Sequence, residues 1–453
     1  LSGTPWNTNW NSLEHFGTYL ERLFFKRNFG PNAKNFRLET SAKLSIFAKT
    51  SNQLKILILT HRVPFPQNGG YPIVVCNTIR GLVNLGHDVS LVALNPKKNF
   101  HHENTDDDND LLSRINYRAF DINTGVSVFD VAVNLFSKTS FNIDRYYSPD
   151  FERLLILELK KTTYDIIQFE GLLVSLYLNA VRKNSKAKLV YRAHNIENQI
   201  WQRLSLQKSD PFKKSYLKMH AKRIKNYELK QLNNFDGIAV FTGQDKNTLE
   251  EYGTKIPISV LPVGINLKHY KPDFSKTEFP SLFFLGSLDW LPNREGIEWF
   301  LENFHKDLTD GDLRVRFYVA GNDIPERFDD YDVLGKIFIQ GEVDDALEFV
   351  NSKSIMIVPL LSGGGMRVKI VEGMAMQKCI ISTTLGAEGI SYENGVNILI
   401  ANNQEEFYEA IKICIADEEY CKNVGLNARK LMEEQHDVNK VTKNLVDFYE
   451  TFI

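Results

Sequence analysis

Short apolar runs alternate along the chain with stretches in which apolar residues recur every three to four positions. Residues 54–59 are nearly continuously apolar, as a strand buried on both faces of a parallel sheet must be. A loop with Pro64, Pro66, Gly69 and Gly70 follows, and then Val75, Ile79, Leu82 and Val83 fall on one helical face. Gly86 is placed to end that helix, and 88–94 reads as the next strand. Parallel strands need a right-handed crossover, so this is a βαβ unit. Further strands are expected over 165–169, 188–192 and 237–241, with a long charged helix over 210–233. The acidic tract 103–110 reads as a solvated loop.

A second alternating series begins near Ile258. Its strands are expected over 258–263, 281–286, 314–320, 336–339, 354–359, 379–383 and 397–400. In the helix over 294–304, Ile297, Phe300, Leu301 and Phe304 form one apolar stripe. Two βα-repeating halves predict an α/β protein of two Rossmann-like, doubly wound domains facing each other across a cleft. The expected divisions are an N-terminal extension (1–53), a first domain (54–257), a second domain (258–430) and a C-terminal helix (431–453) packing back toward the first. Ligands in such sheets bind beyond the carboxyl ends of the strands, which directs attention to the loops there.

The extension reads differently, with Phe24, Phe25, Lys26, Arg27 and Phe29 among Gly and Asn. Residues 13–26 fit a short amphipathic helix that docks on the body or touches a membrane surface, and equally an extension of no fixed structure.

Composition narrows the classes. Of 453 residues, 43% are hydrophobic and 24% charged, so each half can bury a core. Lys plus Arg number 54 against 56 Asp plus Glu, a formal charge of −2, which lacks the basic surplus of a nucleic-acid binder. The four cysteines, Cys76, Cys379, Cys414 and Cys421, show no metal-ligand spacing and read as free, buried thiols in a reducing compartment. No apolar run is long enough to span a bilayer, and the start lacks signal-peptide character. A cytoplasmic protein is expected, with peripheral contact to the inner face of a membrane left open.

The strongest chemical signal is Ser362-Gly363-Gly364-Gly365-Met366-Arg367-Val368-Lys369-Ile370-Val371-Glu372. It follows an expected strand and opens a helix. Glycines let the backbone approach a ligand and present N–H groups, and the helix N-terminus adds partial positive charge. Arg367 and Lys369 stand where full cations oppose the dipole, so an anion nearby explains them. Glu372 lies one turn beyond Val368 and suits the two hydroxyls of a ribose. A diphosphate site accounts for the set.

This segment resembles the donor-site signature of glycosyltransferase family 4, of the GT-B fold. Other segments match in order: Pro64 to Gly70, Gly86-His87-Asp88-Val89, His194-Asn195-Ile196-Glu197, Leu261 to Asn266, Leu285 to Asn293, and Gly386-Ala387-Glu388-Gly389. The resemblance covers residue 54 to the C-terminus. It implies a retaining transfer of a sugar from a nucleotide-diphosphate sugar to a glycan or lipid-linked acceptor. It also implies that Glu372 holds the ribose, that Arg367 and Lys369 neutralise the diphosphate, and that Gly69 and Gly70 approach the phosphates. His194 is implied to sit near the transferred sugar or acceptor hydroxyl, and Gln340, Gly341, Glu342 and Val343 to meet the base through backbone groups. Gly286, Ser287, Asn293, Gly364, Gly365 and Met366 complete the implied donor site.

Two positions depart from the family pattern. Gly364 stands where a second Glu is common, and Ser287 replaces a phosphate-binding Arg, with Arg294 nearby. The pattern resembles a subgroup in which G-G-G-x-R-x-K carries the phosphate charge. No paired Asp motif holds a divalent ion, so no metal and no cofactor are expected. Glu170, after a strand, is a candidate for touching the acceptor. A sugar-nucleotide epimerase or hydrolase of the same fold and an inactive binding scaffold are the alternatives. A dehydrogenase is disfavoured because no G-x-G-x-x-G follows the first strand.

Overall fold

The computed structural model describes residues 53–67, 69–96, 104–125, 140–207 and 210–453. The expected helix over 13–26, almost all of the extension, and Asn68 lie outside them. Seven strands form the first sheet: β1 (Lys55–Thr60), β2 (Asp88–Pro96), β3 (Asn116–Ile122), β4 (Ile166–Glu170), β5 (Lys188–Ala193), β6 (Gly237–Val240) and β7 (Ile258–Val260). Six form the second: β8 (Ser281–Leu285), β9 (Arg316–Ala320), β10 (Ile337–Gly341), β11 (Ile355–Val358), β12 (Cys379–Ser382) and β13 (Leu399–Ile400). The orders are β3-β2-β1-β4-β5-β6-β7 and β10-β9-β8-β11-β12-β13. Neighbouring strands run parallel in both sheets. Each order reverses once, between β1 and β4 and between β8 and β11, and crevices for ligands open at such points.

The apolar runs form double-sided strands, as the sequence predicts. In β1, Leu57 and Leu59 enter one core while Ile56 and Ile58 enter the other. In β8, Leu282 and Phe284 face one core and Phe283 the opposite one. Helix α1 (Gly70–Asn84) buries Val75, Ile79 and Leu82.

Two expectations are corrected. The acidic tract is a helix, α2 (Asp106–Ser113), rather than a loop. Thr105 and Asp108 form a reciprocal capping box, and three aspartates in the first turn favour the helix dipole. Asp107 pairs with Arg80 at 2.6 Å, and buried Asp108 accepts from Gln67 Nε2 at 2.8 Å. The segment 258–263 does not open the second sheet. Its strand β7 pairs with β6, with Ile238 opposite Ile258, and so extends the first sheet beyond Pro257. Strand β3 escaped sequence reading because its residues are largely half-exposed and lack a continuous apolar run.

The remaining helices that bear on the site are α3 (Glu197–Gln207), α4 (Pro211–Leu232), α5 (Leu291–Thr309), α6 (Val368–Ala375), α7 (Gln404–Ala416), α8 (Glu418–Leu431) and α9 (Val438–Glu450). Helix α9 follows the second sheet yet buries Leu445, Val446, Phe448 and Tyr449 in a core of the first. At roughly 1.5–3 kcal/mol for each buried large apolar side chain, that helix ties the chain end firmly to the first sheet. All four cysteines are free and buried. Three of them converge: the thiols of Cys379, Cys414 and Cys421 lie within 4.8 Å of one another.

Candidate functional site

The two reversal points supply the site. Beyond β1 runs the loop that leads through Gly69 into α1, and β4 ends on Glu170. Beyond β8 comes the turn Gly286-Ser287, and β11 leads through the triple-glycine loop into α6.

On the first sheet, His194 follows β5. Its Nε2 stands 2.5 Å from Glu170 Oε2. A carboxylate partner makes Nε2 the protonated nitrogen and leaves Nδ1 as the basic one. Glu170 is 1% exposed, and its other oxygen accepts from Gln168 Nε2 at 2.5 Å. Gln168 Oε1 in turn accepts from the Tyr449 hydroxyl of α9. The His194 ring lies between Tyr71, at 4.6 Å, and the edge-on Phe241, at 5.3 Å. Tyr71 also contacts His61, whose buried imidazole is pushed down to about 3 by desolvation, then by the Arg62 charge. His61 is therefore neutral at physiological pH.

On the second sheet, Arg367 caps α6 and is 5% exposed. Its Nη1 donates to the Gly364 carbonyl, and its guanidinium lies 5.2 Å from the Trp290 ring. The Nε and Nη2 atoms are buried without a partner among the described residues. Burial pulls this group down to about 10, opposed first by the nearby Glu388 carboxylate. Lys369 Nζ donates to Asn293 Oδ1 at 2.8 Å, and Asn293 Nδ2 donates to the Ser287 carbonyl at 2.7 Å. Asn293 thus fixes the ammonium against the turn after β8. Glu372 accepts from the Tyr270 hydroxyl at 2.8 Å. Lys369 and Glu372 are partly exposed along their lengths, but their charged ends are enclosed. Burial, then Arg367, lowers Lys369 to about 7, and burial raises Glu372 to about 6.

The two halves meet here. Arg203 of α3 donates to the Gly363 carbonyl and stands 3.6 Å from Glu388. With its amide nitrogen turned inward, Asn195 donates to the His194 and Gly364 carbonyls at 3.0 and 3.1 Å. Gly365 has φ +76°, and a Cβ there would stand 3.0 Å from the His194 carbonyl and 2.4 Å from the Asn195 amide. Only glycine suits both the left-handed backbone and that approach. A Cβ on Gly70 would stand 3.3 Å from Val368, so the first glycine-rich turn faces the start of α6, while Gly69 has room around it.

The other sequence-predicted residues divide. Gly286 adjoins Lys369, since a Cβ on it would meet Nζ at 2.5 Å. Gly341 ends β10, and its carbonyl accepts from Gly321 N at 2.8 Å, beside the Gly286 turn. Glu342 is exposed and Val343 packs on the core below. The Ser287 hydroxyl donates within its own turn to Asp289 at 2.7 Å. The Met366 side chain is buried in the core against Gly389, so only its backbone can serve a ligand. Sequence reading missed Arg203, Tyr270, Gln168 and Tyr449. The first is a lone cation in α3, and the others are tyrosines and a glutamine whose partners lie far away in the chain.

Residues 68–269 match the family model described as Glycosyltransferase Family 4, and 279–417 match that of Glycosyl transferases group 1. The chain is 24% identical over 413 residues to an uncharacterized 44.6 kDa protein in the cps region of Klebsiella pneumoniae, covering 86% of this chain and 98% of that one. Among solved structures it is similar to sucrose-phosphate synthase of Thermosynechococcus elongatus, at TM-score 0.66 and 15% identity over 88% of this chain and 99% of that one. A Rickettsia africae glycosyltransferase aligns at TM-score 0.62 and 16% identity, over 88% and 98%. Anabaena HepE in complex with UDP-glucose aligns at TM-score 0.62 and 13% identity, over 88% and 100%. These likenesses establish the fold, and the family matches reach into both sheets and both halves of the site. The chain is a glycosyltransferase of family 4 with the GT-B fold.

Proposed function

We propose that this enzyme transfers a sugar from a nucleotide-diphosphate sugar to an acceptor hydroxyl, with retention of configuration and without a metal ion. The observation that carries the reading is Arg367: a buried guanidinium with two unpartnered nitrogens, beside Lys369 and at the N-terminus of α6. Burying a cation with unused donors is costly, and a diphosphate offsets that cost. HepE holding UDP-glucose on the same fold supports the donor class.

As the bond from the anomeric carbon to phosphate oxygen breaks, negative charge gathers on the departing diphosphate. Arg367, Lys369 and the helix dipole stabilise it from fixed positions, which is the role a divalent ion plays elsewhere. The acceptor oxygen forms its bond on the same face, and its proton passes to the leaving phosphate oxygen. Glu372, held by Tyr270, grips the ribose. His194, oriented by Glu170, faces the reacting sugar and acceptor. The backbone at Gly69, Gly70, Gly364 and Gly365 lines the phosphates, and that at Gly286 and Gly341 to Val343 lines the nucleoside. Arg367 and Lys369 in the G-G-G-x-R-x-K pattern take the place of the family Arg that Ser287 replaces. The acceptor is a glycan or a lipid-linked hydroxyl at an inner membrane face. No helix among the described residues is long and apolar enough to cross a membrane.

The test is transfer from a panel of nucleotide sugars in excess chelator, with and without oligosaccharide or lipid-linked acceptors, followed by proton NMR of the product anomer. Retained configuration, acceptor dependence and indifference to chelator are expected. An inverted product, strict dependence on magnesium or manganese, or equal donor breakdown without acceptor would contradict the reading.

A further inference from the structure

Around the first sheet, arginines commonly hold carboxylates. Arg80 pairs with Asp107 at 2.6 Å, Arg182 with Asp236 at 2.8 Å and Arg118 with Glu158 at 3.2 Å. Arg62 and Arg145 differ. Both side chains are half-buried, and the Nε of each is buried without a partner. Neither guanidinium has an ion pair or donates a hydrogen bond among the described residues, and what each meets is a tyrosine ring. A guanidinium carries five N–H donors, and stacking on a ring satisfies none of them.

Aromatic contacts tie both arginines to the His194–Glu170 pair. Arg62 lies on the loop after β1, beyond the carboxyl end of that strand, where ligands enter such sheets. Its guanidinium carbon stands 4.8 Å from the Tyr71 ring, and Tyr71 stands 4.6 Å from the His194 ring. Arg145 follows the helical turn Phe141–Asp144. Its guanidinium carbon stands 5.4 Å from the Tyr146 ring, which meets His61 edge-on at 6.0 Å. His61 in turn touches Tyr71 at 4.4 Å, so the patch is unbroken from Arg145 to His194. The ionisable groups that bear on Arg62 are Tyr71, Tyr146 and Asp289, with neither Arg367 nor Lys369 among them. Arg62 therefore stands apart from the two cations at the start of α6, on the first sheet's side of the cleft.

We propose that Arg62 and Arg145 bind an anionic group on the acceptor, a phosphate or a carboxylate, and so select a negatively charged acceptor over a neutral one. This rests on the glycosyltransfer reading above and narrows its acceptor. A planar guanidinium grips either oxyanion with two parallel hydrogen bonds. A neutral glycan would leave these donors desolvated and unanswered, which is costly. One aromatic ring separates Arg62 from His194. The charge therefore belongs to the sugar unit that carries the reacting hydroxyl, or to the linkage next to it. Two sources share this chemistry: the diphosphate of a lipid-linked acceptor and the carboxylate of an acidic glycan.

The experiment is saturation-transfer NMR on the full-length protein, held in chelator with its nucleoside diphosphate in excess. Two matched pairs are titrated: octyl glucoside against octyl glucuronide, and farnesol against farnesyl diphosphate. The charged member of at least one pair should bind about tenfold more tightly than the neutral one. The combined Arg62→Gln and Arg145→Gln variant should lose that preference while keeping the parent's affinity for the neutral probes and for nucleotide. Arg62→Lys keeps the charge but not the fork and should retain part of the preference. A preference confined to farnesyl diphosphate assigns the lipid-linked source, and one confined to the glucuronide assigns the acidic glycan. Equal binding within both pairs, no binding of any probe, or a preference that survives in the double variant overturns the proposal. Absent nucleotide binding in the parent overturns the donor-site reading instead. The titrations then run on the free protein, and the same comparison of parent with variant decides this one.

Discussion

His194 Nε2 and Glu170 Oε2 stand 2.5 Å apart, and the buried groups behind them reach to Tyr449 on the last helix. The end of the chain thereby helps to orient a side chain at the cleft. His194→Ala should lower turnover by about 100-fold or more while nucleotide affinity holds. Tyr449→Phe removes one buried hydrogen bond, worth about 1 kcal/mol, and should lower turnover about fivefold with a shifted pH profile. Steady-state kinetics across pH checks this. A lowered melting temperature with unchanged kcat would make Tyr449 a packing residue only.

Glu372 is held by Tyr270 at 2.8 Å, which fixes the carboxylate for a diol. Glu372→Ala should weaken nucleotide binding on the order of 100-fold, since charged hydrogen bonds to both ribose hydroxyls are lost. Tyr270→Phe leaves the carboxylate present but loose and should cost about threefold to tenfold. Calorimetry on the two variants, with circular dichroism to confirm folding, separates gripping from positioning.

The pH dependence of donor binding follows from two enclosed charges. Glu372 is ionised only above about 6, and Lys369 is charged only below about 7. Affinity for an intact nucleotide sugar, which has no secondary phosphate ionisation in this range, should peak between those values. Below about 6 it falls as Glu372 takes up a proton. Above about 7 it falls because binding must first protonate Lys369. Above pH 7, binding heats in buffers of different ionisation enthalpy should report proton uptake. Affinity that is flat from pH 5 to 9 would contradict this assignment.

Gly365 lets the triple-glycine loop touch the His194 carbonyl. Gly365→Ala adds a Cβ in a left-handed backbone against that carbonyl and should hold the two halves apart. Turnover should fall at least tenfold with the overall fold intact. Solution scattering would register the wider cleft, and unaltered scattering with parental turnover would remove the contact from the account.

Much of this architecture is legible in the sequence, because buried parallel strands must be apolar on both sides and their lengths repeat. The pairing of Arg367 with Lys369 is legible for a different reason: cations at a helix start and three glycines before it make little sense without an anion. Strand β3 is hidden by its exposure, and α2 by an aspartate run that suits a helix N-terminus as well as a loop. Arg203 and Tyr449 are invisible because their roles come from tertiary contact. Arg203 meets Gly363 across the cleft, and Tyr449 meets Gln168 after the chain has passed through the whole second sheet.

The most direct measurement is calorimetric titration of the protein, in chelator, with uridine, guanosine and adenosine diphosphates and their sugars. The account predicts that one nucleotide binds at a single site, and that Arg367→Ala and Glu372→Ala each abolish or severely weaken binding while remaining folded. No binding to any member of the panel, or binding that survives in both variants, would contradict it.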